Sequence, residues 1–145
     1  MTGVDDAVLT VEEARRITAP IFEALNRPSE KDVTALLSQA CHEDYRSYYT
    51  NEDFWTFDQF GEAIKAMGAA VPDLTWEVLD LRVSGDQIIA RGRVSGTPVA
   101  DFYGVAPTGK SFRTMTMEIL TVRDGKLASA YHVENWTAAI EQLAA

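Results

Sequence analysis

Two short stretches hold residue types that can do chemistry. The first is "YHVEN", which sets His132 and Glu134 two residues apart. On a strand, residues i and i+2 share a face, so an imidazole and a carboxylate become neighbours there. A carboxylate beside a histidine fixes its tautomer and tunes its proton affinity near neutral pH, as a general base requires. The same spacing also fits a structural histidine hydrogen-bonded in the core. The second stretch, "GVAPTGKS" at 104–111, fits the phosphate-loop pattern G-x-x-x-x-G-K-[ST]. In such a loop, backbone N–H groups wrap the phosphates and a helix starting at the lysine points its N-terminus at the anion. Cys41 is the only cysteine, which excludes an internal disulfide and a cysteine-based zinc site. It reads as a small buried apolar residue.

The elements around these stretches decide between the readings. Behind Lys110 and Ser111 the residues Phe112 to Met117 alternate as a strand, so no helix N-terminus is available for a phosphate. The loop joins antiparallel strands, whereas a phosphate loop belongs to a βαβ unit; no nucleotide is expected. Asp124-Gly125 is a strong hairpin signal. With Arg123 opposite Lys126, one face carries Met115, Met117, Ile119, Ala128, Ala130, His132 and Glu134. This is the more apolar face and is expected to turn inward. A β-bulge near the strand end would bring Asn135 inward instead.

Upstream, Thr10 and Glu13 have capping-box spacing, and Val11, Ala14, Ile17, Ile21, Phe22 and Leu25 form one helical apolar face. Pro20 inside it predicts a kink or a break. Ser29 reads as the N-cap of a second short helix, 43–50 as a strand, and 56–70 as a third helix. Beyond Val71-Pro72-Asp73, four β-branched alternating segments follow at 74–83, 86–96, 111–122 and 126–134, then a closing helix from Trp136. Helices first and an antiparallel meander afterwards indicate an α+β domain, with helices on one face of a curved sheet. The chain is expected to form a single domain, 1–145, with residues 1–9 as a flexible N-terminus.

Composition narrows the partners. Hydrophobic residues make up 46% of the chain, enough for a substantial core. Thirteen basic residues against 22 acidic ones give a net charge of −9, which excludes a nucleic-acid partner and disfavours free nucleotides. No apolar run reaches membrane-spanning length, and the acidic N-terminus shows no basic region followed by an apolar run, so no signal peptide is expected. A soluble, cytoplasmic protein is expected, with no membrane partner.

The segments "VPDLTWEV", "GTPVADFYGVAPTGKSF", "DGK" and "YHVENW" with "AAIEQL" resemble the SnoaL-like proteins, polyketide cyclase-like or ester cyclase-like members of the NTF2-like superfamily. The resemblance spans about residues 10 to 145. It implies a cone in which a strongly curved antiparallel sheet wraps a layer of N-terminal helices around a deep apolar pocket, and it implies homodimers formed through the sheet. It further implies cofactor-independent acid/base chemistry on a bulky apolar, carbonyl-bearing metabolite: polyketide cyclase-type ring closure, isomerisation, or hydrolysis. In the cyclases an Asp near the end of the last strand is the acid/base. Counted back from Gln142-Leu143, the matching position is Asn135, and an amide cannot take up a proton at neutral pH. Three readings follow. His132, oriented by Glu134, takes over proton transfer; Asn135 acts as a hydrogen-bond donor to a developing oxyanion; or the protein binds a ligand without catalysis. Tyr45, Tyr49, Trp55, Phe102 and Met117 are the expected lining of the pocket.

Overall fold

The structure, a computed structural model, describes residues 8–145. Most of the segment expected as a flexible terminus lies outside the described residues, but Leu9 does not. It packs against the core, and its amide donates to the Gly85 carbonyl at 3.3 Å.

Helix α1 (Val11–Ala24) opens with the expected reciprocal cap. The Glu13 amide donates to Thr10 Oγ1 at 3.0 Å, and the Thr10 amide to Glu13 Oε1 at 2.9 Å. The helix runs unbroken through Pro20, so the expected break is absent. The proline removes one backbone donor, yet Ala14, Thr18, Ile21 and Phe22 keep the buried face continuous across it. A 3₁₀ turn at Pro28–Glu30 takes up Ser29, whose hydroxyl donates to the Gly68 carbonyl at 3.2 Å. The next helix, α2 (Val33–Ala40), is therefore capped by Asp32 and not by Ser29. Helix α3 (Phe57–Ala70) has its own capping box between Thr56 and Gln59.

Among the described residues six strands form one sheet: β1 (Cys41–Tyr48), β2 (Phe54–Thr56), β3 (Thr75–Ser84), β4 (Gln87–Gly96), β5 (Phe112–Arg123) and β6 (Lys126–Glu134). Their order is β2-β1-β6-β5-β4-β3. Helix α4 (Trp136–Ala144) follows β6. The sheet is curved and mixed, not purely antiparallel, because β1 and β6 pair in parallel. The chain leaves β1 and β2 through α3, starts the meander at the far edge, and returns to β1 only with β6. That long connection, unlike a tight hairpin, imposes no antiparallel sense. Strand β2 escaped the sequence reading because three residues show no period.

Two local irregularities shape the inner face. The ladder of β3 and β4 shifts between Val78 and Asp80. Beside it, a Cβ on Gly92 would collide with the Glu77 carbonyl and approach Thr116 Oγ1, so only glycine lets the strands close up there. The second irregularity lies in the last hairpin. Val122 pairs with Leu127, but Thr121 pairs with Ser129, which leaves Ala128 as an extra residue. From that point Glu118 stands opposite His132, where an unbulged ladder would put Met117.

The bulge corrects the expected face of β5. Thr114, Thr116, Glu118 and Leu120 are buried, whereas Met115, Met117 and Ile119 are exposed on the outer side. Strand β6 keeps its expected parity, with Tyr131 and Val133 exposed and Ala130 buried. The phosphate-like loop runs directly into β5, with Gly104 and Gly109 at φ of 82° and 83°, and no helix begins at Lys110.

Candidate active site

The concave face of the sheet and helices α1 and α3 enclose a cavity of about 350 Å³. Leu25 at the C-terminal end of α1 and Phe60, Ile64 and Met67 of α3 supply an apolar wall. The sheet supplies the polar groups: Ser47 from β1, Glu118 from β5, and His132 and Glu134 from β6. Inward parity places each of these, because register partners on neighbouring strands share a face.

His132 and Glu134 form the pair their spacing predicts. Nδ1 of the imidazole lies 2.7 Å from Glu134 Oε2. Both side chains are largely buried, at 14% and 9% exposure, so the contact is little screened. Trp55, on edge strand β2, lies over the imidazole with ring centres 5.8 Å apart. Strand β2 places it there through the pairing of Trp55 with Ser47. Burial alone would lower the proton affinity of His132. The hydrogen bond and charge of Glu134, with help from Glu118, outweigh that and hold it above the ordinary histidine value. Nε2 is buried and has no hydrogen-bond partner. An imidazole with Nδ1 engaged and Nε2 free is arranged to exchange a proton with a bound molecule.

Glu118 is the group that sequence reasoning missed. It is 7% exposed and lines the cavity opposite His132. Burial, then the nearby Glu134 charge, push its carboxyl up to about 7, against the pull of His132 and the Trp76 indole. The available signal was the alternation in Thr114, Thr116 and Glu118, a polar parity that reads as solvent-facing unless the bulge is known.

The remaining expected site residues divide into two groups. Tyr45, Tyr49 and Trp55 line the cavity. Tyr45 is fully enclosed, and burial drives its phenol well above the usual range. Asn135, Met117 and Phe102 are not among the lining residues. Asn135 is exposed and caps α4, its side chain accepting from the Ala138 amide at 3.1 Å. The chain leaves β6 at Glu134, so the next side chain serves the helix and not the pocket. Met117 faces outward for the reason given above. Phe102 is buried behind the cavity wall, stacked on Phe112 at 5.2 Å and packed against the lining residues Tyr103 and Trp136. Its neighbour Tyr103 reaches the cavity instead, from a backbone position with φ of 48°. No helix among the described residues is long and apolar enough to cross a membrane.

Residues 21–143 match the sequence model of the SnoaL-like polyketide cyclase family. No curated protein sequence matches the chain significantly. Among solved structures, TsrD from Streptomyces laurentii superposes with a TM-score of 0.80 at 24% identity, covering 93% of this chain and 97% of that one. AclR from Streptomyces galilaeus, a proposed hydroxylase, gives 0.79 at 23% identity over 93% and 98% of the two chains. IdmH from Streptomyces antibioticus, a proposed polyketide cyclase, gives 0.77 at 22% over 90% and 97%. At these identities the likeness is one of fold.

Proposed function

This chain belongs to the SnoaL-like polyketide cyclase family, and we propose that its cavity performs acid/base chemistry on a mostly apolar, carbonyl-bearing small molecule. Cyclase-type ring closure and isomerisation both begin by removing a proton from the carbon next to a carbonyl. In this reading His132 Nε2 takes that proton. Glu134 holds Nδ1 as the donor nitrogen, which leaves the Nε2 lone pair free and stabilises the imidazolium as it forms. The observation that carries the proposal is the His132–Glu134 contact inside an apolar cavity, with Nε2 left unpartnered. The fold shared with the proposed cyclase IdmH supports the same class of reaction.

The competing reading, a ligand-binding protein that has lost catalysis, rested on the amide of Asn135. Asn135 caps α4 and is not among the residues that line the cavity, which favours the catalytic reading. The carboxylate that ends the last strand and faces the cavity is Glu134. The experiment is turnover of a panel of aromatic polyketone substrates by wild type and His132→Ala. The expected result is a loss of about 10²-fold or more with binding nearly unchanged; undiminished turnover sinks the assignment. The homodimer belongs to the same proposal, with the exposed Met115, Ile119, Tyr131 and Val133 on the outer sheet face as its contact.

A further inference from the structure

Among the described residues, four buried side-chain polar atoms have no hydrogen-bond partner: Ser47 Oγ, Trp76 Nε1, Thr116 Oγ1 and His132 Nε2. Ser47, Trp76 and His132 line the same cavity, and they reach it from β1, β3 and β6. Glu118 enters the same space from β5, with its carboxyl beside the Trp76 indole. A buried unpaired polar group costs free energy, so several converging on one cavity point to a ligand with polar atoms of its own.

We infer that Glu118 is a second catalytic residue of this pocket, donating its carboxyl proton to a carbonyl oxygen of the ligand while His132 removes a proton from the adjacent carbon. The inference rests on the acid/base reading above. The step balances without a further reactant. The C–H bond breaks and its proton goes to His132 Nε2. The electron pair forms the C=C bond, the carbonyl π pair moves to oxygen, and that oxygen takes the Glu118 proton. The product is a neutral enol beside an imidazolium and a carboxylate, which face each other across the β5–β6 ladder. With a C=C conjugated to the enol, returning the imidazolium proton to its far carbon while the enol O–H proton goes back to the Glu118 carboxylate isomerises the ligand. Attack of the enol carbon on a second carbonyl closes a ring, the enol O–H proton returning to Glu118 and the imidazolium proton going to the new alkoxide oxygen.

The environment keeps such a proton in place. Glu118 faces His132 and Glu134 on β6, Tyr45 on β1 and the Trp76 indole on β3. Its register partner on β4 is Ala90, and the helices offer only apolar side chains to the cavity. No lysine or arginine lines that space to hold the carboxylate form. A carboxyl that an apolar site allows to keep its proton up to about neutrality is a strong hydrogen-bond donor toward an oxyanion.

The test uses infrared spectroscopy on the intact protein with 2-acetylnaphthalene, carbonyl-labelled with carbon-13, as the probe ketone. At about pH 5 the bound carbonyl band of wild type is expected at lower frequency, relaxing toward the unbonded position at about pH 9 as Glu118 loses its proton. In Glu118→Leu the band is expected unshifted at both pH values; in Glu118→Gln its position is expected not to change with pH. Ligand-free wild type is expected to show a carboxylic acid band that titrates near neutrality and is missing from Glu118→Gln. A wild-type shift that is the same at both pH values, a shift that survives in Glu118→Leu, failure of the ketone to bind at the lower pH, or no such acid band would each overturn the inference. His132→Ala separates the two proposals. A preserved shift with undiminished turnover would sink the base assignment and leave the Glu118 contact standing.

Discussion

Glu118 and His132 are register partners across the β5–β6 ladder, both turned into the same cavity, one pushed toward its neutral form and the other toward its charged form. Two titratable side chains with converging proton affinities thus face one cavity from adjacent strands. Their protonation has consequences for stability as well as for the proposed chemistry.

The Glu118 carboxyl lies at about 7 in the folded chain and at 4.5 as a free carboxyl. Between these values the unfolded chain has already released the proton that the folded chain retains, so stability falls as pH rises through that window. The difference corresponds to on the order of 3 kcal/mol above neutrality. Glu118→Gln removes the effect. Urea denaturation is expected to show the variant gaining on wild type from about pH 5 to about pH 8. Parallel pH profiles would contradict the assignment.

His132 has its folded-state proton affinity raised by Glu134. Its contribution to stability is complete below the ordinary histidine value and fades as pH rises through the higher folded one. Glu134→Gln takes away the hydrogen-bonded charge and leaves burial in command. The His132 ring-proton titration followed by NMR is expected to move to lower pH in that variant. An unmoved midpoint would show that Glu134 is not the controlling partner.

Asn135 acts as a helix cap, so Asn135→Ala is expected to cost about 1 kcal/mol of stability with turnover unaffected. Asn135→Asp keeps a capping oxygen and is expected to match wild type in both respects. A large rise in turnover for the aspartate variant would place this position in the chemistry after all.

For the proposed homodimer, Val133 is the sharpest probe, being 63% exposed on the outer face beside Tyr131. A charge there is hard to bury against a second copy. Val133→Asp is expected to convert a dimer into a monomer in light scattering. A wild type that is monomeric at high concentration removes the proposal.

Much of the fold was legible because its signals are local. Thr10 with Glu13, Asp124-Gly125, and the alternation of β3 to β6 each act over a few residues, and the chain follows them. The His132–Glu134 pair was legible for the same reason, since two residues on one strand must share a face. What could not be read was relative register. Ala128 carries no mark as a bulge, yet it decides whether Met117 or Glu118 meets His132. The parallel pairing of β1 and β6 joins segments far apart in sequence, and Trp55 reaches the imidazole through a strand too short to be periodic. Asn135 was misplaced because counting along the chain cannot tell the last residue of a strand from the cap of the next helix.

Strand β2 is three residues long and lies at the edge of the sheet, paired with β1 alone. The indole over the imidazole rides on this short piece, braced by Tyr49 and Phe60. Part of the burial that opposes protonation of His132 therefore comes from the sheet edge, so a change in β2 would reach the proton affinity of the imidazole without touching its hydrogen bond to Glu134.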